Sequence, residues 1–232
     1  MKVTAQEEHQ SELEREYERR FSDRADYRWK VWTLLTRDFF QKYVPAGGAV
    51  LELGCGWGEF INQIRAQRKF GMDLNPASRA RLGPGIEFLH QDCSERWPLD
   101  DNTLDTVFTS NFFEHLPDKT SLGRTLREAC RCLKPGGRIV CLGPNIRALP
   151  GAYWDFWDHY LPLTELSLGE GLELSGFKTE TSIARFLPYT MARERNPPVW
   201  TVGLYIRMPF VWPILGKQFL VIAVKPESAV TP

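Results

Sequence analysis

The chain has 232 residues, 43% of them hydrophobic, which suits one α/β domain with a sizeable core. Its 29 lysines and arginines are balanced by 29 aspartates and glutamates. That balance argues against a nucleic-acid partner, whose phosphates call for a basic surplus.

No apolar leader opens the sequence, so a cytoplasmic location is expected. Cys55, Cys93, Cys130, Cys132 and Cys141 lack zinc-ligand spacing, and a disulfide framework is not expected in so large a core. No metal site is therefore expected. Residues 7–20 are charged and helix-prone, with Leu13 and Tyr17 four apart on one face. After a break at 21–23, an aromatic-rich apolar period over 27–44 predicts a second helix. Pro45-Ala46-Gly47-Gly48 stops it.

Residues 49–53 are short, apolar and β-prone, as a buried parallel strand should be. Gly54-Cys55-Gly56-Trp57-Gly58 follows, and the apolar spacing of 59–64 predicts a helix. Strand, glycine turn and helix together bring backbone N–H groups close to a ligand. Glu52 at the strand end opposes a pyrophosphate and suits a ligand with ammonium and sulfonium charges. The Gly-x-Gly-x-Gly spacing also departs from the dinucleotide Gly-x-Gly-x-x-Gly.

A second strand, over 69–74, runs into Asp73, about as far beyond the turn as a ribose-binding acid stands in βαβ units, roughly 20 residues. A helix-capping role is the alternative for Asp73. The third strand, 85–93, has Asp92 at its exit, where turn formation is the rival role. The fourth, 104–111, leads into Phe112-Phe113-Glu114-His115-Leu116-Pro117-Asp118. A helix over 119–133 stops at Lys134-Pro135-Gly136-Gly137, and 138–142 is the fifth strand. Residues 144–162 have no clean period. Thr164 caps a helix over 165–175, and Gly176 leads into a sixth strand. An apolar stretch at 199–208 precedes Pro209 and Pro213. It is too interrupted to cross a membrane, which takes about 20 apolar residues. Residues 217–225 form the last strand and 226–232 a tail.

Glu52-Leu53-Gly54-Cys55-Gly56-Trp57-Gly58 resembles the first motif of class I S-adenosylmethionine-dependent methyltransferases. Glu114-His115-Leu116-Pro117-Asp118 resembles the segment after the fourth strand in their small-molecule branch, type 11. It is unlike the Asn-Pro-Pro-Tyr of many amino-group methyltransferases of nucleic acids and proteins. Leu133-Lys134-Pro135-Gly136-Gly137 is common across the family. The resemblance covers about 50–224.

It implies a Rossmann-like α/β fold with a seven-stranded, mostly parallel sheet, a late antiparallel strand, helices on both faces and extra N-terminal helices. The whole chain would be one methyltransferase domain. A helical cap would occupy 1–48 and the catalytic core 49–225, with substrate-side elements over 144–216. S-adenosylmethionine is the implied cofactor. Gly54, Cys55, Gly56 and Gly58 would pass under its methionine part, and Glu52 would act on its amino group through the loop or a water. Asp73 and Leu74 would serve the ribose, and Asp92 and Cys93 the adenine. Asn111 and Phe112 would flank the sulfonium. The aromatics of 27–44 suit core packing of an extra N-terminal helix, and because relatives carry such a helix over the cofactor mouth, Tyr27 and Trp32 are also candidate lid residues.

An NAD-dependent oxidoreductase is the first alternative, but the sequence has no catalytic Tyr-x-x-x-Lys run. The second is an inactive cofactor-binding partner. The expected acceptor is a small molecule, free or lipid- or glycan-linked, with O-methylation favoured. Residues 153–160 are expected to line its site. His159 is the first candidate base, His115 the second, and Asp155 or Asp158 the orienting acid. A loop-bonding role is open for either histidine. Residues 199–208 are expected to cover the acceptor. Packing on the sheet, or shallow contact with a bilayer through Trp200, Tyr205 and Trp212, are the alternatives.

Overall fold

The computed structural model describes residues 25–188 and 196–227, so the expected helix over 7–20 lies outside the described residues. Seven strands form one sheet in the order β3-β2-β1-β4-β5-β7-β6. They are β1 Ala49–Leu53, β2 Arg68–Asp73, β3 Ile86–His90, β4 Leu104–Ser110, β5 Leu133–Pro144, β6 Lys178–Ile183 and β7 Gln218–Val224. β7 is antiparallel to both neighbours, and the other pairings are parallel. β1 is buried along its whole length, as the continuous apolar run requires of a strand covered on both faces. β6 alternates exposed and half-buried positions at the sheet edge. There the Arg138–Glu180 ion pair, at 2.7 Å, spans from β5.

Five α-helices accompany the sheet: α1 Ala25–Asp38, α2 Lys119–Cys132, α3 Glu165–Leu174, α4 Val199–Ile206 and α5 Trp212–Leu215. α2 starts on Asp118, whose carboxylate accepts the Ser121 N–H at 2.7 Å. α3 starts on a reciprocal Thr164–Ser167 capping box, at the predicted N-cap. One core joins Leu51, Leu53, Val107, Ile139 and Val221 to Leu122, Leu126, Leu168 and Leu172 of α2 and α3. Val50, Phe108, Val140 and Ile222 point the other way. They pack with Leu35 of α1 and Phe39 just beyond it, with Phe60, Ile61 and Ile64, and with Ile206 and Trp212. Side chains thus alternate between two cores along each central strand.

Three expectations need correction. Residues 59–64 form turns, not the predicted helix. The Ile61 N–H is taken by the Glu52 carboxylate at 3.0 Å, and Gln67 and Arg68 already donate to Gly48 O to start β2. Asn62 and Ile64 make isolated helix-type bonds to Gly58 O and Phe60 O, and with Phe60, Ile61 and Ile64 all buried the segment is held mainly by packing. Trp32 is not a lid. Its ring packs on Phe40, Phe60 and Phe108 at 6.1, 6.4 and 6.0 Å. β5 begins at Leu133, ahead of the predicted start, because Leu133 already pairs with Leu104. Gly136, at φ 76°, donates its N–H to Lys225 O at 2.8 Å across to the end of β7.

Phe60 stacks on Phe108 with ring centroids 3.7 Å apart and both rings fully buried. Phe60→Ala is expected to cost about 3–5 kcal/mol. Urea denaturation should show this as a lower midpoint at unchanged slope. A loss within experimental error would mean that 59–64 is not anchored by its packing.

Candidate active site

The glycine turn leaves β1 through three left-handed residues: Gly54 at φ 64°, Gly56 at 46° and Gly58 at 72°. A side chain at Gly54 would be strained and would also overlap the Phe112 ring. The Gly56 N–H donates to Asp73 Oδ2 at 2.8 Å, and the Asn75 N–H donates to Oδ1 at 2.8 Å. The Ser78 side chain hydrogen-bonds the same carboxylate, which leaves one lone pair free to accept from a ligand hydroxyl. Burial raises its pKa, against the opposing pull of the Asn75 and Gly56 N–H groups and of nearby His115.

The other sequence-derived residues divide by side-chain direction. Glu52 is buried, and its Oε2 accepts the Ile61 N–H. Desolvation pushes its pKa well up, and the charges of Glu59 and Asp73 push the same way. Cys55 turns its thiol into the core, where it lies against Gly71. Leu74 leaves β2 exposed, and its carbonyl meets His90 Nε2 at 2.9 Å. Asp92 is exposed and closes a turn by accepting the Ser94 N–H at 2.7 Å. Cys93 buries its thiol 3.3 Å from Thr125 Oγ1, and desolvation raises its pKa to about 12. Only its main chain is left to meet a ligand. Asn111 sits at φ 49° beside Phe112, and its buried Oδ1 has no hydrogen-bond partner in the fold. An acceptor left in that condition calls for a donor from outside the chain.

Sequence reasoning missed the bracing of the turn from α1. Arg28 forms an ion pair with Glu59, and its guanidinium stands 6.0 Å from the Trp57 ring, over which Arg81 lies at 4.0 Å.

Beyond the end of β4 the structure brings both candidate bases together. The His115 and His159 rings meet edge to face at 4.9 Å. His115 Nδ1 lies 2.9 Å from Asp158 O and 3.3 Å from Asp158 Oδ2. His159 Nδ1 lies 2.7 Å from Tyr153 O, and the Tyr153 ring is 4.4 Å away. Tyr153 donates its hydroxyl to the buried Glu114 Oε1 at 2.6 Å. Asp155 is exposed and takes no recorded part in this cluster. Burial lowers the His115 pKa, but hydrogen bonding to Asp158 and the charges of Glu114 and Asp158 outweigh it and leave the value raised. One ligand atom each from His115, Asp158 and His159 fall within 4.8 Å of one another, close enough to converge on one proton or one cation.

A seven-stranded sheet with β7 antiparallel, a left-handed glycine turn after β1 and acids at the ends of β1 and β2 define a class I methyltransferase fold. The family model described as "Methyltransferase domain" matches residues 51–141, and those residues carry the type 11, S-adenosylmethionine-dependent form of it. A solved S-adenosylmethionine-dependent methyltransferase from Archaeoglobus fulgidus superposes with TM-score 0.64 at 23% identity, covering 85% of this chain and 94% of that one. The demethylmenaquinone methyltransferase of Symbiobacterium thermophilum is 27% identical over 59% of this chain and 59% of its own length. The ubiquinone biosynthesis O-methyltransferase of Aliivibrio fischeri is 28% identical over 44% of this chain and 47% of its own. The chain thus spans less than two thirds of either relative.

The cofactor is S-adenosylmethionine, and the residues present fit it. The orphaned Asn111 Oδ1 and the buried acids suit its ammonium and its positive charge, and Asp73 suits its ribose hydroxyls. Asp73→Ala is expected to weaken S-adenosylmethionine binding in calorimetry by about 1.5–3 kcal/mol. An unchanged affinity would move the ribose site elsewhere.

Glu52 gives a separate test in the absence of ligand. A carboxyl with a raised folded pKa stabilises the fold below its unfolded pKa, and that stability is lost as pH rises through the folded value. Glu52→Gln removes the loss. Its melting temperature relative to wild type should climb between about pH 4 and pH 7, starting near the ordinary glutamate pKa of about 4.3. A pH-independent difference would contradict the buried acid's role.

Proposed function

We propose that the chain transfers the methyl group of S-adenosylmethionine to a hydroxyl-bearing small molecule, free or lipid- or glycan-linked, in the cytoplasm. The observation that carries this reading is the acid–base cluster beyond β4, with His115 close enough to Asp73 for the two charges to interact. The cofactor supplies an already activated methyl on a sulfonium. What remains for the protein is to align the acceptor and manage its proton, and alignment is worth on the order of 7–11 kcal/mol.

His115 is the favoured base. The Asp158 carbonyl and carboxylate both face its Nδ1, which fixes the ring and leaves Nε2 as the basic nitrogen. His159, held by the Tyr153 carbonyl, supports the ring edge to face. Tyr153, Trp154 and Phe156 surround His159 at 4.4, 6.1 and 5.2 Å and offer an aromatic wall to an acceptor ring. A second reading is C-methylation of a phenolic ring, favoured by the name of a Desulfotalea psychrophila relative, a ubiquinone/menaquinone biosynthesis C-methyltransferase. The same base serves it, since removing a ring hydroxyl proton activates the neighbouring carbon as well as the oxygen.

Incubating small-molecule and lipid extracts with a deuterated-methyl cofactor should yield a labelled product. Its fragmentation tells an O–CH₃ from a C–CH₃ bond, and absence of product from every extract would count against turnover. With the acceptor in hand, His115→Ala should lower turnover by about 10²–10⁴-fold with cofactor affinity kept. The acid limb of kcat/KM should lie above the ordinary histidine value, because a raised pKa keeps the base protonated to higher pH. Asp158→Asn should move that limb to lower pH. Turnover that survives His115→Ala, or that requires an added divalent cation, would reassign the cluster.

A further inference from the structure

The segment from α4 to α5 presents large apolar side chains to solvent that its own packing does not explain. Trp200, Phe210 and Ile214 are 67%, 71% and 71% exposed, and Leu204 and Leu215 are also exposed. Trp200 and Leu204 stand one helical turn apart on α4, as do Phe210 and Ile214 across the 3-10 turn into α5. The inward side is fully committed. Ile206 and Trp212 are buried in the second core with Phe39 and Phe186, and the Trp212 Nε1–H donates to Tyr205 O at 3.0 Å. The Tyr205 hydroxyl donates to Phe186 O. These contacts bury Trp212, which corrects the sequence expectation that had grouped it with Trp200, while Tyr205 stays half-buried with its hydroxyl committed to the fold.

The charge carried by this segment itself has one sign. From Asn196 to Lys225 the sequence contains no aspartate or glutamate, while Arg207, Lys217 and Lys225 fall within it. Arg185 reaches the Pro213 carbonyl at 3.4 Å, and exposed Lys217 directly follows α5. Lys42 lies 4.2 Å over Phe39, the ring that contacts Trp212. The neighbouring acid is Asp38, already shared between Arg37 and Arg207. Among the described residues no helix is long and apolar enough to cross a membrane. An apolar face bearing tryptophan, phenylalanine and isoleucine, bracketed by cations and free of acids, has the make-up of a helix that lies in a bilayer interface.

We infer that the α4–α5 face docks the protein on an anionic lipid surface, with Trp200, Phe210 and Ile214 inserted and Lys42, Arg185 and Lys217 at head-group level. A protein–protein groove fits less well, because the apolar residues project from short helices instead of lining a concavity. The inference does not depend on the methyltransferase reading.

The test is co-flotation of the full chain with vesicles of phosphatidylglycerol and phosphatidylcholine in equal parts, beside vesicles of phosphatidylcholine alone. Binding to the mixed vesicles and much weaker binding to the neutral ones is expected. Raising the salt to about 1 M, where the Debye length is about 3 Å, should weaken the mixed-vesicle binding. The triple variant Trp200→Ser, Phe210→Ser, Ile214→Ser should lose at least about tenfold in apparent affinity for the mixed vesicles. Its melting temperature and its S-adenosylmethionine affinity should be unchanged, since all three side chains point outward. Failure of the wild type to float, or a folded triple variant that floats as well as wild type, would overturn the inference. So would a dimer in light scattering that the triple variant splits while vesicles stay unbound, since a second copy would then be the occupant.

Discussion

The hydrogen bond from the Gly56 N–H to Asp73 Oδ2, at 2.8 Å, joins the turn after β1 to the exit of β2. It makes the two halves of the cofactor cradle a single unit. The turn can approach β2 only because Gly54, Gly56 and Gly58 occupy left-handed backbone conformations that a side chain would strain. The same bond consumes a backbone donor that would otherwise stand unsatisfied at a strand end. Around this joint the fold collects three acids, Glu52, Glu59 and Asp73, all with raised pKa values for which burial is the leading cause. Arg28 offsets part of that burden through Glu59. A ligand of positive charge offsets more, which accounts for acids in a site where a phosphate-binding turn would avoid them.

Much of the sheet was legible because its signals are local. The apolar run of β1, the alternating glycines, Thr164 as a cap and the stop after α2 each act within a few residues. The candidate site was legible where the chemistry sits at a strand end, as with Asp73, Asn111 and His115. What could not be read depends on distant partners. Nothing within 59–64 announces that Glu52 takes the Ile61 N–H and ends the helix before it starts. Trp32 and Trp212 resemble surface aromatics until Phe108, Phe39 and Phe186 close around them. Nor does sequence spacing reveal that His115 and His159, far apart in the chain, meet ring to ring.

The loop over 144–162 illustrates how irregular backbone is held. Asn145 donates its side-chain amide to Glu165 at 2.6 Å and to Ala184 O at 2.9 Å, while Tyr160 and Leu161 donate their N–H groups to Glu114 O. Glu114 thus receives the loop twice, through its carbonyl and through its carboxyl contact with Tyr153. The position of Asp158 and His159 is therefore set by the segment after β4, on which the loop is folded back. The candidate bases after β4 and β5 share one support, and a shift in either strand end moves them together.

β7 fills the slot between β5 and β6, yet it is the last strand of the sheet to leave the ribosome. Until residues 218–224 have emerged, β5 and β6 have no common partner, and the outer edge of β5 presents unpaired backbone groups to other chains. Because β6 pairs only with β7, the two outermost strands join the sheet together once β7 has emerged. Synthesis of this protein therefore includes an interval in which the nascent chain holds most of its hydrophobic core while lacking the strand that seals it. In that interval it depends most on chaperones and on dilution from its own copies.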